Sequence, residues 1–398
     1  MHDRLRVLIC GTGSAAHVLG AVISAREGVE VRVMSLNIVR AHEWSEIAGV
    51  SRLTITGRGE TQIEGNGLFI TSDPVVAARD ADIVIVSVPA FLHLQYLSAL
   101  APYLPEGCVI AGLPGQNGFE FDVRKALGHR FDSTIVLNFE SLPWICRTDE
   151  FGRSARIHGT KKRLAGAMHG DPSHARVADP VAVLQQLLGE TPKLIVTGHP
   201  LGITLRAPNA YSHPPIMFGR WRSWDGAALD APPLFYQGVD EETAALLEEI
   251  SDEVVATSRA IMREHPGVDL SQVIPMYEWD IGCYGPDITD KTNLMTALRT
   301  NAGYDGMTHP MIRRDNGDYV PDFSHRFLTE DVPFGLVVIR GIAELAGVPT
   351  PQMDRVLCWS QHAMGREYLL GKELRGRDVA FTRAPQRYGY SLDDILVA

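Results

Sequence analysis

Short apolar runs separated by segments of helical period organise the first half of the chain. The runs at 6–10 (RVLIC), 30–34 (EVRVM), 82–88 (DIVIVSV), 108–113 (CVIAGL), 133–138 (STIVLN) and 193–197 (KLIVT) read as strands. Strands alternating with helical patterns predict βαβ units around a mostly parallel sheet. Between the second and third runs, 52–70 alternates β-rich pieces with glycine, which predicts an added hairpin rather than another βα unit. Beyond about residue 200 the pattern changes to longer helices. In 240–267, Leu246, Ile250, Val254 and Ile261 recur near helical spacing and the pattern stops at Pro266-Gly267; a second helix over 334–351 ends at Gly347, with Pro349 just beyond. The predicted fold is therefore α/β. An N-terminal Rossmann-type, doubly wound parallel sheet takes residues 1–200, and a second, mainly α-helical domain takes residues 201–398.

Composition narrows the partners. With 398 residues, 45% of them apolar, the chain can bury a large core, and its formal net charge of −11, without a basic run, argues against a nucleic-acid partner. Cys10, Cys108, Cys146, Cys283 and Cys358 are odd in number, widely spread and never arranged as CxxC, so reduced thiols in the cytoplasm are expected rather than disulfides or a zinc knuckle. The N-terminal segment carries no long apolar region, and no stretch reaches the roughly 18 apolar residues of a membrane span, so a full-length cytoplasmic protein with no membrane partner is expected.

The stretch VLICGTGSAAHVLGA (7–21) sets Gly11, Gly13 and Ala16 directly after a strand and at the start of an amphipathic helix. Gly11 permits the tight turn, Gly13 lets a pyrophosphate approach the backbone, and Ala16 lets helix and strand pack closely, while the helix N-terminus offers free N–H groups. Gly11, Gly13, Ser14, Ala15 and Ala16 are candidate contacts of a dinucleotide, and Pro89, just past the strand at 82–88, is another. The second strand ends in Met34-Ser35-Leu36-Asn37, with no acid to hold a ribose 2′-hydroxyl. Arg40 is placed either to meet a 2′-phosphate or to lie on a solvated helix face, so Ser35 and Arg40 leave both NAD and NADP open.

NAYSHPP (209–215) puts His213 before two prolines. Such a ring shuttles a proton, binds a metal or fills a core. No second ligand stands at a metal-site spacing, so no metal is expected. A partner is offered by HRFLTEDVPFG (325–335), where Arg326, Glu330 and Asp331 crowd the start of an apolar helix. The plain reading of these acids is helix capping, with Pro333 in the first turn. The catalytic reading has Arg326 fork onto a substrate carboxylate, a buried guanidinium being costly without it, while His213 transfers the proton and Asp331 fixes its tautomer. Spacing alone does not bring 213 and 331 together.

The ordered segments GxGxxA, GLPGQNGFEF (112–121), NFESLPWICR (138–147), SHPPIMFGRWRSWDG (212–226), PLFYQGVD (233–240), PDFSHRFLTEDVPFGLVV (321–338) and PQRYGY (385–390) resemble the opine dehydrogenase family, and they span nearly the whole chain. That resemblance implies reductive condensation of an α-keto acid, commonly pyruvate, with the amino group of an amino acid, using NADH or NADPH, by a monomer or homodimer. It implies His213 and Asp331 as the proton-transfer pair and Arg326, Gln116 and Glu140 as substrate contacts, with Ser141 and Cys146 beside them. The segment APNAY (207–211), with Ala207 and Asn209, departs from the more apolar version of the octopine enzymes, which implies an altered amine side of the site. The rival readings are a simple 2-keto acid or metallophore-type reductase of the same architecture, and a non-catalytic NAD(P)-binding redox sensor.

Overall fold

The structure is a computed structural model that describes residues 4–57 and 62–397. Contacts divide the chain into two compact units, one running to Ile203 and the other from Thr204 to Val397.

Among the described residues, twelve strands build the first unit: β1 (Leu5–Cys10), β2 (Val29–Met34), β3 (Thr54–Thr56), β4 (Gln62–Glu64), β5 (Phe69–Thr71), β6 (Ile83–Val86), β7 (Val109–Gly112), β8 (Ile135–Phe139), β9 (Trp144–Glu150), β10 (Ser154–Thr160), β11 (Arg163–His169) and β12 (Lys193–Val196). Eight form one sheet in the order β12-β11-β8-β7-β6-β1-β2-β5. Its neighbours are parallel except for β8 and β11. All six continuous apolar runs of the sequence are strands of this sheet. The central ones are buried on both faces: in β1 and β6, Val7, Ile9, Ile83 and Ile85 pack into one apolar cluster and Leu8, Cys10, Val84 and Val86 into another, whereas β12 at the sheet edge exposes Lys193. The strand order reverses between β1 and β6, so the crevice beyond their C-terminal ends is where a doubly wound sheet receives a ligand.

The region 52–70 differs from the expected hairpin. β3 and β4 do pair antiparallel, and their connection, 58–61, lies outside the described residues. Yet they belong to a second sheet of order β4-β3-β10-β9, while β5 leaves the hairpin and pairs parallel with β2 at the edge of the main sheet. A three-residue strand carries too little pattern to announce that switch. In β10, Ala155 and Ile157 face inward and alternate with exposed Arg156 and His158, so the strand lacks the continuous apolar run that marked the others.

The second unit is helical around Asn209–Trp221, Glu241–Glu264, Val337–Leu345 and Pro351–Ala363. Asp240 caps Glu241–Glu264 by accepting from Thr243 N–H at 2.8 Å, and Leu246, Ile250, Val254 and Ile261 are all buried along it. The expected single helix over 334–351 is two pieces. Val332–Leu336 forms one widened turn, in which Leu336 N–H donates to Asp331 C=O at 2.8 Å, and a regular helix follows over Val337–Leu345. Pro333 has no N–H to give the regular ladder, and its ring crowds the carbonyl four residues back, so the chain slips by one residue here.

Candidate active site

Each unit contributes its own constellation. In the first, helix α1 (Ser14–Ser24) starts at Gly13, which no side chain caps. His17 N–H is the first to reach back into the helix, donating to Gly13 C=O at 3.1 Å, so the N–H groups of Ser14, Ala15 and Ala16 precede the ladder and point out of its N-terminus. A Cβ built on Gly13 meets nothing within 4 Å, whereas one on Gly11, at φ +115°, meets Ser87 C=O and Val88 Cγ1 at 2.8 Å. Gly11 thus allows the turn after β1 to press against the end of β6, and Gly13 leaves open space where a pyrophosphate fits. Ala16 is fully buried between helix and sheet.

Side chains hold this cradle from behind. Ser14 Oγ accepts from Thr148 N–H at 3.0 Å, so its hydroxyl is committed to β9 while its N–H stays at the helix end. His17 lies buried and stacked on Trp44 at 4.1 Å; its Nδ1 meets Gly13 C=O at 2.9 Å and its Nε2 accepts from Gly152 N–H at 2.8 Å. That pair of contacts requires the Nδ1–H tautomer, and burial lowers the ring's pKa, which keeps it neutral. Helix α2 (Ile38–Ala48) is capped by Asn37, whose side chain accepts from Arg40 N–H at 3.1 Å. Ser35 is buried and accepts from Asn37 N–H at 3.2 Å. Arg40 lies over the Phe151 ring at 4.3 Å with Nη1 3.2 Å from Glu43. Pro89 is exposed at the start of the helix Ala90–Leu100.

Gln116 and Glu140 sit past the C-terminal ends of neighbouring strands β7 and β8. Asn138 ties their loops together, donating through Nδ2 to Gln116 C=O at 3.1 Å and to Glu120 Oε2 at 3.0 Å. Gln116 adopts φ +60°, which turns the loop over the strand ends. Glu140 Oε1 accepts from Ala165 N–H at 3.3 Å, and Ser141 follows it, half-buried. Cys146 is on β9 in the second sheet, packed against the apolar cluster; burial pushes its thiol pKa up, away from the reactive thiolate.

In the second unit, His213 lies in Asn209–Trp221 just after a break at Tyr211 (φ −120°, ψ 15°). Pro214 and Pro215 cannot donate to the carbonyls of Ala210 and Tyr211, so a new helical segment begins there and both prolines fall in its first turn, where they are tolerated. Asn209 is exposed ahead of the break and Ala207 is buried. The widened turn at Val332 brings Asp331 round to the histidine: His213 Nδ1 and Asp331 Oδ2 are 2.7 Å apart, and both residues are 6% exposed. Asp331 makes no cap with its side chain, so helix capping does not account for it. His213 Nε2 meets Tyr236 Oη at 2.7 Å, and Phe327 stacks on the ring at 3.9 Å. The carboxylate fixes Nδ1–H and turns Nε2 toward the phenol, an arrangement suited to moving a proton at Nε2.

Arg326 corrects an expectation. Its side chain is 57% exposed and pairs with Glu330 Oε2 at 3.2 Å, so it is not a buried guanidinium and lacks the desolvation cost expected of one left without a substrate carboxylate. Tyr236 was missed by motif reading. It sits in a Gly- and Pro-punctuated loop, with no periodicity to mark it.

Behind Tyr236, Tyr304 stacks at 4.0 Å and donates from its hydroxyl to Asp280 Oδ1 at 3.0 Å. Burial pushes Asp280 up to about 6, and its Oδ2 has no hydrogen-bond partner among the described residues. A carboxyl raised in the folded state binds more protons folded than unfolded, so it costs stability progressively as pH rises from its ordinary 3.8 through about 6. Asp280→Asn is therefore expected to gain thermal stability over the parent as pH rises from 4 to 7, roughly through that window. Melting curves across that range check it; a constant difference would remove Asp280 as the titrating group.

A dinucleotide cradle in one unit and a carboxylate-oriented imidazole in the other define the class first: a nicotinamide-dependent oxidoreductase. Comparison with known proteins narrows this. Residues 196–364 match the family described as NAD/NADP octopine/nopaline dehydrogenase, alpha-helical domain. Tauropine dehydrogenase of Arabella iricolor is 44% identical over 98% of this chain and 99% of its own, and octopine dehydrogenase of Pecten maximus is 42% identical over 98% of both. A structure of octopine dehydrogenase with NADH and L-arginine superposes with a TM-score of 0.95 at 42% identity, covering 99% of this chain and 98% of that one. The chain belongs to the opine dehydrogenase family.

Proposed function

We propose that this enzyme condenses pyruvate with the amino group of an amino acid and reduces the resulting imine with NADH. The observation that carries the proposal is the buried 2.7 Å pairing of His213 with Asp331, because loss of water from a carbinolamine needs a proton donor at the reacting centre. The free N–H groups of Ser14, Ala15 and Ala16 would hold the pyrophosphate, and bound NADH would supply the hydride. NADH is preferred over NADPH on the support of Arg40, whose guanidinium is already engaged by Glu43 and Phe151, and of Ser35, which is buried. Gln116, Glu140 and Ser141 in the first unit, and Arg326 and Asn209 in the second, are the proposed substrate contacts, on the support of the family resemblance. Cys146 drops to a packing role in this reading. The five free cysteines support a cytoplasmic setting, and no helix among the described residues is long and apolar enough to cross a membrane.

The test follows NADH oxidation with pyruvate, with and without a panel of amino acids and taurine. A neutral or polar amine is expected to be used at least as well as arginine, since the family resemblance implies an altered amine side at Ala207, which is buried, and Asn209, which is exposed. A strong preference for arginine would sink that specificity while sparing the reaction. Oxidation with pyruvate alone would favour the simple keto-acid reductase, and NADH binding without any turnover would favour the sensor.

A further inference from the structure

We propose that Tyr236 is the group that passes the proton between His213 and the substrate, so that the acid–base unit is Asp331–His213–Tyr236 rather than a dyad. The inference rests on the acid–base reading above and adds its last member.

Both ring nitrogens of His213 are taken. Nδ1 faces Asp331 Oδ2 at 2.7 Å and Nε2 faces Tyr236 Oη at 2.7 Å, while Phe327 covers a ring face at 3.9 Å and Phe235 lies edge-on at 5.7 Å. A substrate atom thus meets no open nitrogen; beyond Nε2 stands the phenol oxygen, whose other hydrogen-bond partner is the Ser212 hydroxyl, a small group that a substrate oxygen can replace. A hydroxyl suits that place because it donates to a neutral imidazole and accepts from an imidazolium. The phenol is also immobilised. Tyr304 stacks on it at 4.0 Å with ring planes 17° apart and is itself anchored by Asp280, and Phe235 packs edge-on at 4.9 Å. Swinging Tyr236 aside to uncover Nε2 would break this stack.

Burial, then the charges of Tyr284, Asp331 and Asp280, push the Tyr236 phenol far above its ordinary pKa, so a free phenolate is not an intermediate and the two proton shifts are concerted. In carbinolamine dehydration the Tyr236 O–H proton moves to the departing hydroxyl as the C–O bond breaks, and the oxygen leaves as water with that electron pair. The imidazolium Nε2–H proton moves to Tyr236 Oη in the same step. The nitrogen lone pair closes the C=N bond, leaving an iminium, a neutral His213 with Nδ1–H on Asp331, and the phenol restored.

The experiment compares full-length Tyr236→Phe and His213→Ala with the parent, using pyruvate and an amine that the parent turns over. Turnover is measured in mixtures of light and heavy water, together with NADH affinity and thermal melting. Tyr236→Phe is expected to lose about 10²-fold in kcat, within the range for one acid–base group, with NADH affinity kept. The parent's rate should curve against deuterium fraction, as two protons in flight require, and the residual rate of Tyr236→Phe should vary linearly. If Phe at this position fails to fold, fluorotyrosine replaces it: the more acidic phenol is expected to change kcat by more than about twofold while the curvature against deuterium fraction is kept, and an unchanged kcat would refute the relay. Tyr236→Phe within about twofold of the parent, alongside an inactive His213→Ala, would overturn Tyr236 and leave the histidine standing. An active His213→Ala would overturn the acid–base reading itself.

Discussion

His213→Ala is expected to lower kcat by roughly 10²–10⁴ while NADH affinity stays near that of the parent, because general acid–base catalysis contributes about that much and the cradle at Gly13 belongs to the other unit. Asp331→Asn should act in the same direction. An amide in place of the carboxylate offers Nδ1 a neutral acceptor or a donor, so the tautomer that turns Nε2 toward Tyr236 is no longer enforced and the imidazolium loses its counter-charge. Steady-state kinetics alongside NADH titration separates the two steps. Near-normal turnover in His213→Ala would return the residue to the role of a buried core histidine.

Gly11→Ala is expected to damage cofactor binding and stability together. The added methyl would stand 2.8 Å from Ser87 C=O and Val88 Cγ1, and the residue would have to keep φ +115°, a region nearly reserved for glycine. Holding a non-glycine residue there costs of order 1–3 kcal/mol, and relief by moving the β1 turn away from β6 would misplace the N–H groups that receive the pyrophosphate. NADH affinity is therefore expected to fall by at least about tenfold, the equivalent of 1.4 kcal/mol, with a lowered melting temperature. By contrast, Gly13→Ala meets no protein atom within 4 Å, so its effect should be confined to NADH binding. If both variants melt like the parent, the close approach of the two loops is not what Gly11 secures.

The legible parts of this fold are those in which burial on both faces leaves a continuous apolar run. β1, β6, β7 and β8 announce themselves for that reason, β2 and β12 show short apolar runs although they are only partly buried, and the glycine spacing after β1 identifies the cradle because a strand precedes it and an amphipathic helix follows. β9 and β10 were less legible, since one face carries Arg147, Asp149, Arg156 and His158, and β5 is three residues long. Sequence order also hides what the widened turn does. Asp331 precedes Pro333 and an apolar helix, which is the pattern of a cap, and only the slip in hydrogen-bonding register at Pro333 turns its carboxylate to His213. Arg326 was legible as a carboxylate-binding type of residue, but its exposure and its pairing with Glu330 follow from the helical turn they share. Tyr236 gave no periodic signal. The motif that contains it, PLFYQGVD, carried the family resemblance, and the phenol's place against His213 emerges only when the chain is folded.

Reductive condensation puts one hydride and one new C–N bond into the same product. Mass analysis of the product formed from pyruvate, a nitrogen-labelled amino acid and NADH deuterated at the transferring position of the nicotinamide tests it most directly. The expected product is a secondary amine that contains both carbon skeletons, the labelled nitrogen and one deuterium on the former keto carbon. Deuterated lactate with the amino acid unchanged would contradict it.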